Sequence, residues 1–381
     1  MEGGHTVSTS ETVARTRRLL PDLERVQEIL RTTSPQELLQ GTLSAAGASA
    51  ADTVQPESIP EIGMEGVPSP QPAEPPRQDA VEDALQAQRE ATIEAGRRGI
   101  ERVIEEGPEA PLSAEEQFGM EAIVLLVGRP ALLIQDGRFA APPADWSILE
   151  EHREAVQKTF RSIGRVEVEG HPNLEWIGTA FLVARDVVMT NRHVAVEFTS
   201  PRSNGRWGIT PGIRARVDFR EEFMGMRSSE IRIKGLIGIH GKYDMALFRL
   251  EPSNDLPEPL PLSAGLGAPE TLPGRNVYVV GYPAWDGRRN DPEPMQRLFA
   301  NVYNVKRLQP GSFMRYLTGH QLFMHDCSTL GGNSGSPVLD LDSHRILGLH
   351  FGGTYQKSNQ AVALWDLRND PLIQFAGLQF A

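Results

Sequence analysis

The sequence predicts an all-β protein of sandwich or barrel type, preceded by a helical and proline-rich extension. Three observations predict it. From Ser162 onward short apolar runs follow one another, at 178–183, 187–190, 231–239, 245–250, 277–280, 336–339 and 346–351. Glycines and prolines punctuate the gaps between them, as expected of many short strands joined by turns. Before residue 120 the texture differs, with apolar residues at helical spacing and a dense run of prolines.

The extension divides into three parts. In residues 1–50, Leu19, Leu20, Leu23, Val26 and Leu30 recur at helical spacing, and Ser34-Pro35 with Glu37 reads as a further helix start. Residues 51–80 hold Pro56, Pro60, Pro68, Pro70, Pro72, Pro75 and Pro76 and read as an extended linker. Residues 81–106 read as helical, with Val81, Leu85, Ile93, Ile100 and Val103 on the apolar positions. Gly96 and Gly99 each weaken a helix by up to about 1 kcal/mol, which predicts a break there. Gly107-Pro108 is a stop. A hairpin is expected from 123–127 and 131–134 around Gly128-Arg129-Pro130, then a helix over 146–160. Residues 81–160 thus form a connecting region, and 161–381 the main domain.

With 381 residues, the chain has room for one domain of about 200–270 residues and an appendage. The net charge of −12 gives no reason to bind nucleic acid or an anionic membrane. Arg97-Arg98 and Arg288-Arg289 are short and read as solvated faces. Cys327 is the sole cysteine, so no intrachain disulfide forms, which fits a reducing compartment. It reads as a small buried apolar residue. The N-terminus lacks the apolar core of a signal peptide, and no apolar run is long enough for a membrane span. A cytoplasmic protein is expected.

Three segments carry chemistry. GTAFLVARDVVMTNRHVA (178–195) delivers His193 at a strand end. YDMALFRL (243–250) sets Asp244 immediately before an apolar strand, where a carboxylate is partly shielded. DCSTLGGNSGSPVLDL (326–341) places Ser334 in a glycine-rich turn. Such a turn can aim the N–H groups of Gly332 and Ser334 at one point, forming an oxyanion hole. A histidine must take the serine proton, and a carboxylate must fix its tautomer. The order His, Asp, Ser matches one convergent arrangement and excludes the Ser, Asp, His order of α/β-hydrolases.

The strings GTAFLV, TNRHV, DMAL, STLGGNSGSPV and GLHFGG resemble the trypsin-like serine peptidase superfamily, and more closely its bacterial glutamyl-endopeptidase-like branch. The resemblance spans roughly 160–370. It implies two six-stranded antiparallel β-barrels of chymotrypsin-like form with the active site between them. It maps His193, Asp244 and Ser334 onto the catalytic triad, and Thr329 and His350 onto the specificity residues, with Ser328 beside them and Gly352 also in the substrate-binding set. It implies a protein or peptide substrate, cleavage after glutamate, and no cofactor or metal. Residues 1–110 are expected to regulate or bind a protein partner.

Other readings are weaker. The nine histidines include no HExxH, so a metal hydrolase is not favoured. His320 and His325 read as loop or strand surface. Asp326 is the alternative carboxylate for His193, with a structural strand-end role as its plainer reading. A catalytically silent, peptidase-like binding or scaffolding protein is the competing function.

Overall fold

The computed structural model describes residues 13, 16, 23–32, 78–107, 110–123, 128–203, 205–225, 228–268, 271–284, 303–354 and 358–381. The readings on Leu19, Leu20, Ser34, the prolines of 51–77, Pro108, the 124–127 half of the expected hairpin and Arg288-Arg289 lie outside these residues.

Three helices, α1 (Leu23–Thr32), α2 (Gln78–Glu106) and α3 (Ala114–Ile123), share their own core of Val26, Leu30, Ile93, Ile100, Val103 and Met120. The predicted break in α2 is absent, because its glycines serve a helix crossing. A Cβ on Gly96 would lie 2.2 Å from the carbonyl oxygen of Gly119, and one on Gly119 would lie 2.2 Å from the nitrogen of Gly96. Backbone meets backbone there, and the close packing offsets the glycine penalty. A capping box starts α3: Glu116 N–H donates to Ser113 Oγ at 3.1 Å, and Ser113 N–H to Glu116 Oε2 at 2.8 Å. Among the described residues, no helix is long and apolar enough to cross a membrane.

A hairpin is formed by β1 (Leu132–Gln135) and β2 (Arg138–Phe139). Its turn residues, Asp136 and Gly137, have φ of 50° and 72°. Positive φ at both centres suits a two-residue hairpin, and Asp-Gly is the usual sequence for it. The helix expected over 146–160 is interrupted at His152, leaving α4 (Ile148–Glu151) and α5 (Arg153–Phe160).

The first barrel contains β3 (Ile163–Glu169), β4 (Trp176–Ala184) and β5 (Val187–Thr190), then the helical turn α6 (Arg192–Val196). A small hairpin of β6 (Thr199–Pro201) and β7 (Trp207–Ile209) follows. β8 (Arg214–Asp218), β9 (Glu230–Ile239) and β10 (Ala246–Leu250) close the barrel in the order β10-β5-β4-β3-β8-β9. The second barrel contains β11 (Asn276–Gly281), β12 (Arg307–Leu317), β13 (Leu322–His325), β14 (Pro337–Asp340), β15 (Ile346–Thr354) and β16 (Ser358–Ala363). Its order is β11-β14-β15-β16-β13-β12, closed by the β11–β12 pairing, with β1 and β2 added beside β12. Helix α7 (Pro371–Phe375) follows, with Asp370 as its N-cap, and Phe380 beyond it bridges to Leu262. The fold is two six-stranded antiparallel barrels.

The strands look continuously apolar because both of their faces are buried. In β4, Ala180 and Leu182 fill the first barrel, while Phe181 and Val183 join a core shared with the second. In β11, Val277 and Val279 fill the second barrel, while Tyr278 and Val280 join the shared core. Successive side chains point to opposite faces of a strand, so a strand packed on two sides loses its alternation. Leu132, Trp146, Leu149 and Phe160 also belong to the shared core. The packed body of the barrels therefore begins near residue 128.

Candidate active site

Each residue of TNRHV has a structural task. Thr190 Oγ1 donates to the Thr179 carbonyl at 2.7 Å, joining β5 to β4. Asn191 Nδ2 donates to the Asp244 carbonyl at 2.9 Å, and Arg192 donates to the carbonyls of Gly241 and Lys242 at 3.2 Å each. The loop carrying Asp244 is thereby fastened to α6. His193 uses Asp244 twice: its backbone N–H donates to Oδ1 at 2.9 Å, and Nδ1 lies 2.6 Å from Oδ2. Burial alone would raise the Asp244 carboxyl, but the hydrogen bonds and charge of His193 hold it below the usual range. The imidazole is 49% exposed, open to an incoming group, while the Asp244 side chain is 22% exposed. A second histidine braces the same loop. His240 Nδ1 accepts the N–H groups of Lys242 and Tyr243, and its Nε2 donates to Asp370 at 2.9 Å.

The GNSGS turn is held as closely. Gly332 and Gly335 have φ of 78° and 89°, a region that favours glycine. A Cβ on Gly335 would stand 2.0 Å from the Thr179 carbonyl oxygen. Thr179 Oγ1 donates to the Gly332 carbonyl at 2.8 Å, and Thr179 N–H to the Ser334 carbonyl at 2.9 Å. Asn333 is buried and exchanges amide hydrogen bonds with Gln309, at 3.0 and 3.2 Å. Asn333, Gly335 and Ser336 donate their N–H groups to Leu330, His350 and Asn333 respectively. Among the described residues, the N–H groups of Gly332 and Ser334 donate to no backbone carbonyl outside the regular elements.

The two barrels meet at Gly178. A Cβ there would lie 2.9 Å from the Ser334 carbonyl oxygen and 2.9 Å from Val194 Cγ2. The serine turn and the histidine helix therefore close on the same glycine. A hydroxyl on such a turn can act as a nucleophile toward an acyl carbon when an imidazole oriented by a carboxylate takes its proton.

The other predicted residues are placed as follows. His350, on β15, is buried, and its backbone pairs with Gly335 N–H at 3.0 Å and the Ser336 carbonyl at 2.9 Å. Its Nδ1 lies 3.2 Å from Nε2 of His325. His325 was expected at the surface, but it is fully buried on β13, against β16. Burial pushes His325 down to about 3. Burial first, then the imidazoles of His325 and His193, hold His350 well below the ordinary histidine value. Ser328 donates its hydroxyl proton to the Arg129 carbonyl at 2.7 Å. Asp326 is committed to Arg129, so it does not orient His193. Cys327 is buried, and burial pushes its thiol far up. Thr329 is half-buried beside Ser328, and Gly352 has open space where a side chain would stand.

Two further features lie away from this region. A cavity of about 1110 Å³ is lined by Asp136, Lys158, Arg161, Arg220, Glu222 and Asp255, and by none of the predicted site residues. The carboxylates of Glu167, Asp218 and Glu221 lie within 4.8 Å of one another. Arg165 and Arg216 bond to Glu167 and supply positive charge there.

Two closed barrels with this His–Asp pair and serine turn at their junction define a protein of the double-barrel serine hydrolase class. A trypsin-like peptidase domain matches residues 178–349. A protein of Lysobacter enzymogenes named probable serine protease is 30% identical over 374 residues, covering 86% of this chain and 95% of that one. The chain belongs to the trypsin-like serine peptidase family and is a serine protease. The glutamyl endopeptidase of Staphylococcus epidermidis is 26% identical over 197 residues, covering 50% of this chain and 58% of that enzyme. A solved protease of M. tuberculosis aligns over 59% of this chain and 86% of its own, at 17% identity and a TM-score of 0.39.

Proposed function

We propose that the chain is a serine endopeptidase in which Ser334 is the nucleophile, His193 the general base and Asp244 the carboxylate that orients it. The observation that carries this reading is the double hold of Asp244 on His193, with Gly178 joining the same helix to the serine turn. Nε2 of His193 takes the Ser334 proton as Oγ attacks the scissile carbonyl, and later returns a proton to the leaving amine. The N–H groups of Gly332 and Ser334 stabilise the oxyanion. Ser334→Ala tests the assignment. Peptide turnover should fall by several orders of magnitude, and labelling by a serine-directed fluorophosphonate should vanish. A parent chain that neither cleaves peptides nor takes the label would favour the silent binding protein instead.

The proposed substrate preference is glutamate on the acyl side of the cut. Relatives named glutamyl endopeptidase support it, as does the buried imidazole pair. If His325 donates from Nε2 to His350 Nδ1, the His350 proton resides on its own Nε2, where it can be donated to a carboxylate. Ser328 has its proton engaged by Arg129, so Thr329 and His350 remain as the side-chain donors. Unpaired donors in a buried site reject a ligand that cannot accept them, so the preference should be steep. A peptide library varied only at that position provides the test. Equal or better cleavage after leucine or arginine would reject the preference.

A further inference from the structure

The stretch 326–330, which leads into the serine turn, belongs to no strand, so side-chain bonds supplement the few backbone bonds that fix its path, Asp326 N–H to the Ser312 carbonyl and Asn333 N–H to the Leu330 carbonyl, each at 3.2 Å. Several of those bonds come from Arg129, and Asn359 Nδ2 adds one to the Cys327 carbonyl at 2.6 Å. The Arg129 guanidinium holds Asp326 by two bonds, Nε to Oδ1 at 2.7 Å and Nη2 to Oδ2 at 2.9 Å. The pair is enclosed, with side chains 11% and 6% exposed. Nη2 also donates to Ser312 Oγ at 3.3 Å, and Ser312 N–H donates to Asp326 Oδ1 at 2.7 Å. The backbone of Arg129 is used as well, since its carbonyl accepts the Ser328 hydroxyl. On one side of it, the Gly128 carbonyl accepts Trp146 Nε1 at 2.9 Å. On the other, Leu330 packs against Ala131.

We infer that Arg129 is a positioning residue for the peptidase reaction: from a segment ahead of both barrels, it sets the stretch 326–330 that forms one wall of the substrate pocket. A forked guanidinium–carboxylate bond fixes orientation as well as distance, which a lysine ammonium does not. The effect falls on Ser328 and Thr329, and only secondarily on the serine turn, which Thr179 and Gln309 hold separately. This inference rests on the proposed roles of Ser334 and of the 328–330 wall.

The test compares two reactions of the full chain. One is hydrolysis of its best peptide substrate. The other is labelling by a small fluorophosphonate, which needs the serine and its base but no side-chain pocket. Arg129→Met should lose roughly tenfold or more in peptide kcat/KM, mainly through KM, while the labelling rate stays within about threefold of the parent. Arg129→Lys should fall between. Because Arg129→Met strands a buried carboxylate, the double variant Arg129→Met/Asp326→Asn removes both charges and preserves the fold. It should show the same split. Parent-like peptide kinetics in these variants would overturn the inference, as would equal losses in both reactions. Ser334→Ala, run alongside, separates the readings. If it is inactive while the Arg129 variants behave like the parent, the clamp alone fails; if it keeps peptide turnover, both fail.

Discussion

Asp244 holds His193 by the main chain and the ring at once, one carboxylate oxygen on the backbone N–H and the other on Nδ1. Asp244→Asn can preserve the first contact through its amide oxygen. Its amide nitrogen would then face Nδ1 and force the proton onto Nε2, the atom proposed to accept from Ser334. Turnover should drop by roughly 10³–10⁴ with the fold intact. Steady-state kinetics beside a thermal melt would check it, and a loss below about tenfold would assign the orienting role elsewhere.

Two glycines of the site should respond in opposite ways. Gly335→Ala adds a carbon 2.0 Å from a carbonyl oxygen at a left-handed φ, so it should cost more than about 2 kcal/mol and lower the Tm sharply. Gly352 has no neighbouring atom within 4 Å of a built Cβ. Gly352→Val should leave the Tm nearly unchanged but fill the proposed pocket and raise KM. A parent-like melt for Gly335→Ala would contradict the tightness of the serine turn.

The buried histidines predict acid sensitivity. His325 titrates near 3 in the folded chain and near 6.5 when unfolded, so between these values the unfolded state binds the extra proton. Stability therefore falls as pH falls through this window. By pH 4 the contribution of His325 is on the order of 3 kcal/mol. His325→Phe should be less stable than the parent at pH 7 and show a flatter decline below pH 6.5. Urea midpoints measured from pH 7 to pH 4 would decide it, and parallel slopes would count against it.

The helical unit offers a separate test. Gly96→Leu should force α2 from α3 and expose the small core to protease, without changing peptide kcat/KM. Cleavage within α2 or α3 under limited proteolysis is the measurement. Unchanged resistance would mean that the crossing tolerates the side chain.

The segments carrying His193, Asp244 and Ser334 could be picked out because each is a contiguous string, although the bonds that hold them, such as His193 to Asp244 and Thr179 to Gly332, span 51 and 153 residues. His325 could not, because its contact with His350 arises only when β13 and β15 both pair with β16. Arg129 was hidden for the same reason, since Asp326 lies 197 residues away. Gly96 was misread because a glycine that weakens an isolated helix looks identical to one that admits a neighbouring backbone. The Asp136-Gly137 turn was readable in principle.

Gly178 acts as a gauge block of zero thickness between the two halves of the proposed reaction centre. The serine turn and the histidine helix both press on the space of one missing methyl group. The spacing is therefore at its floor, and every possible side chain at this position errs in one direction. Selection or design that seeks to retune the separation of the proposed nucleophile and base can widen it here by one carbon at a time, but it has no smaller residue with which to narrow it.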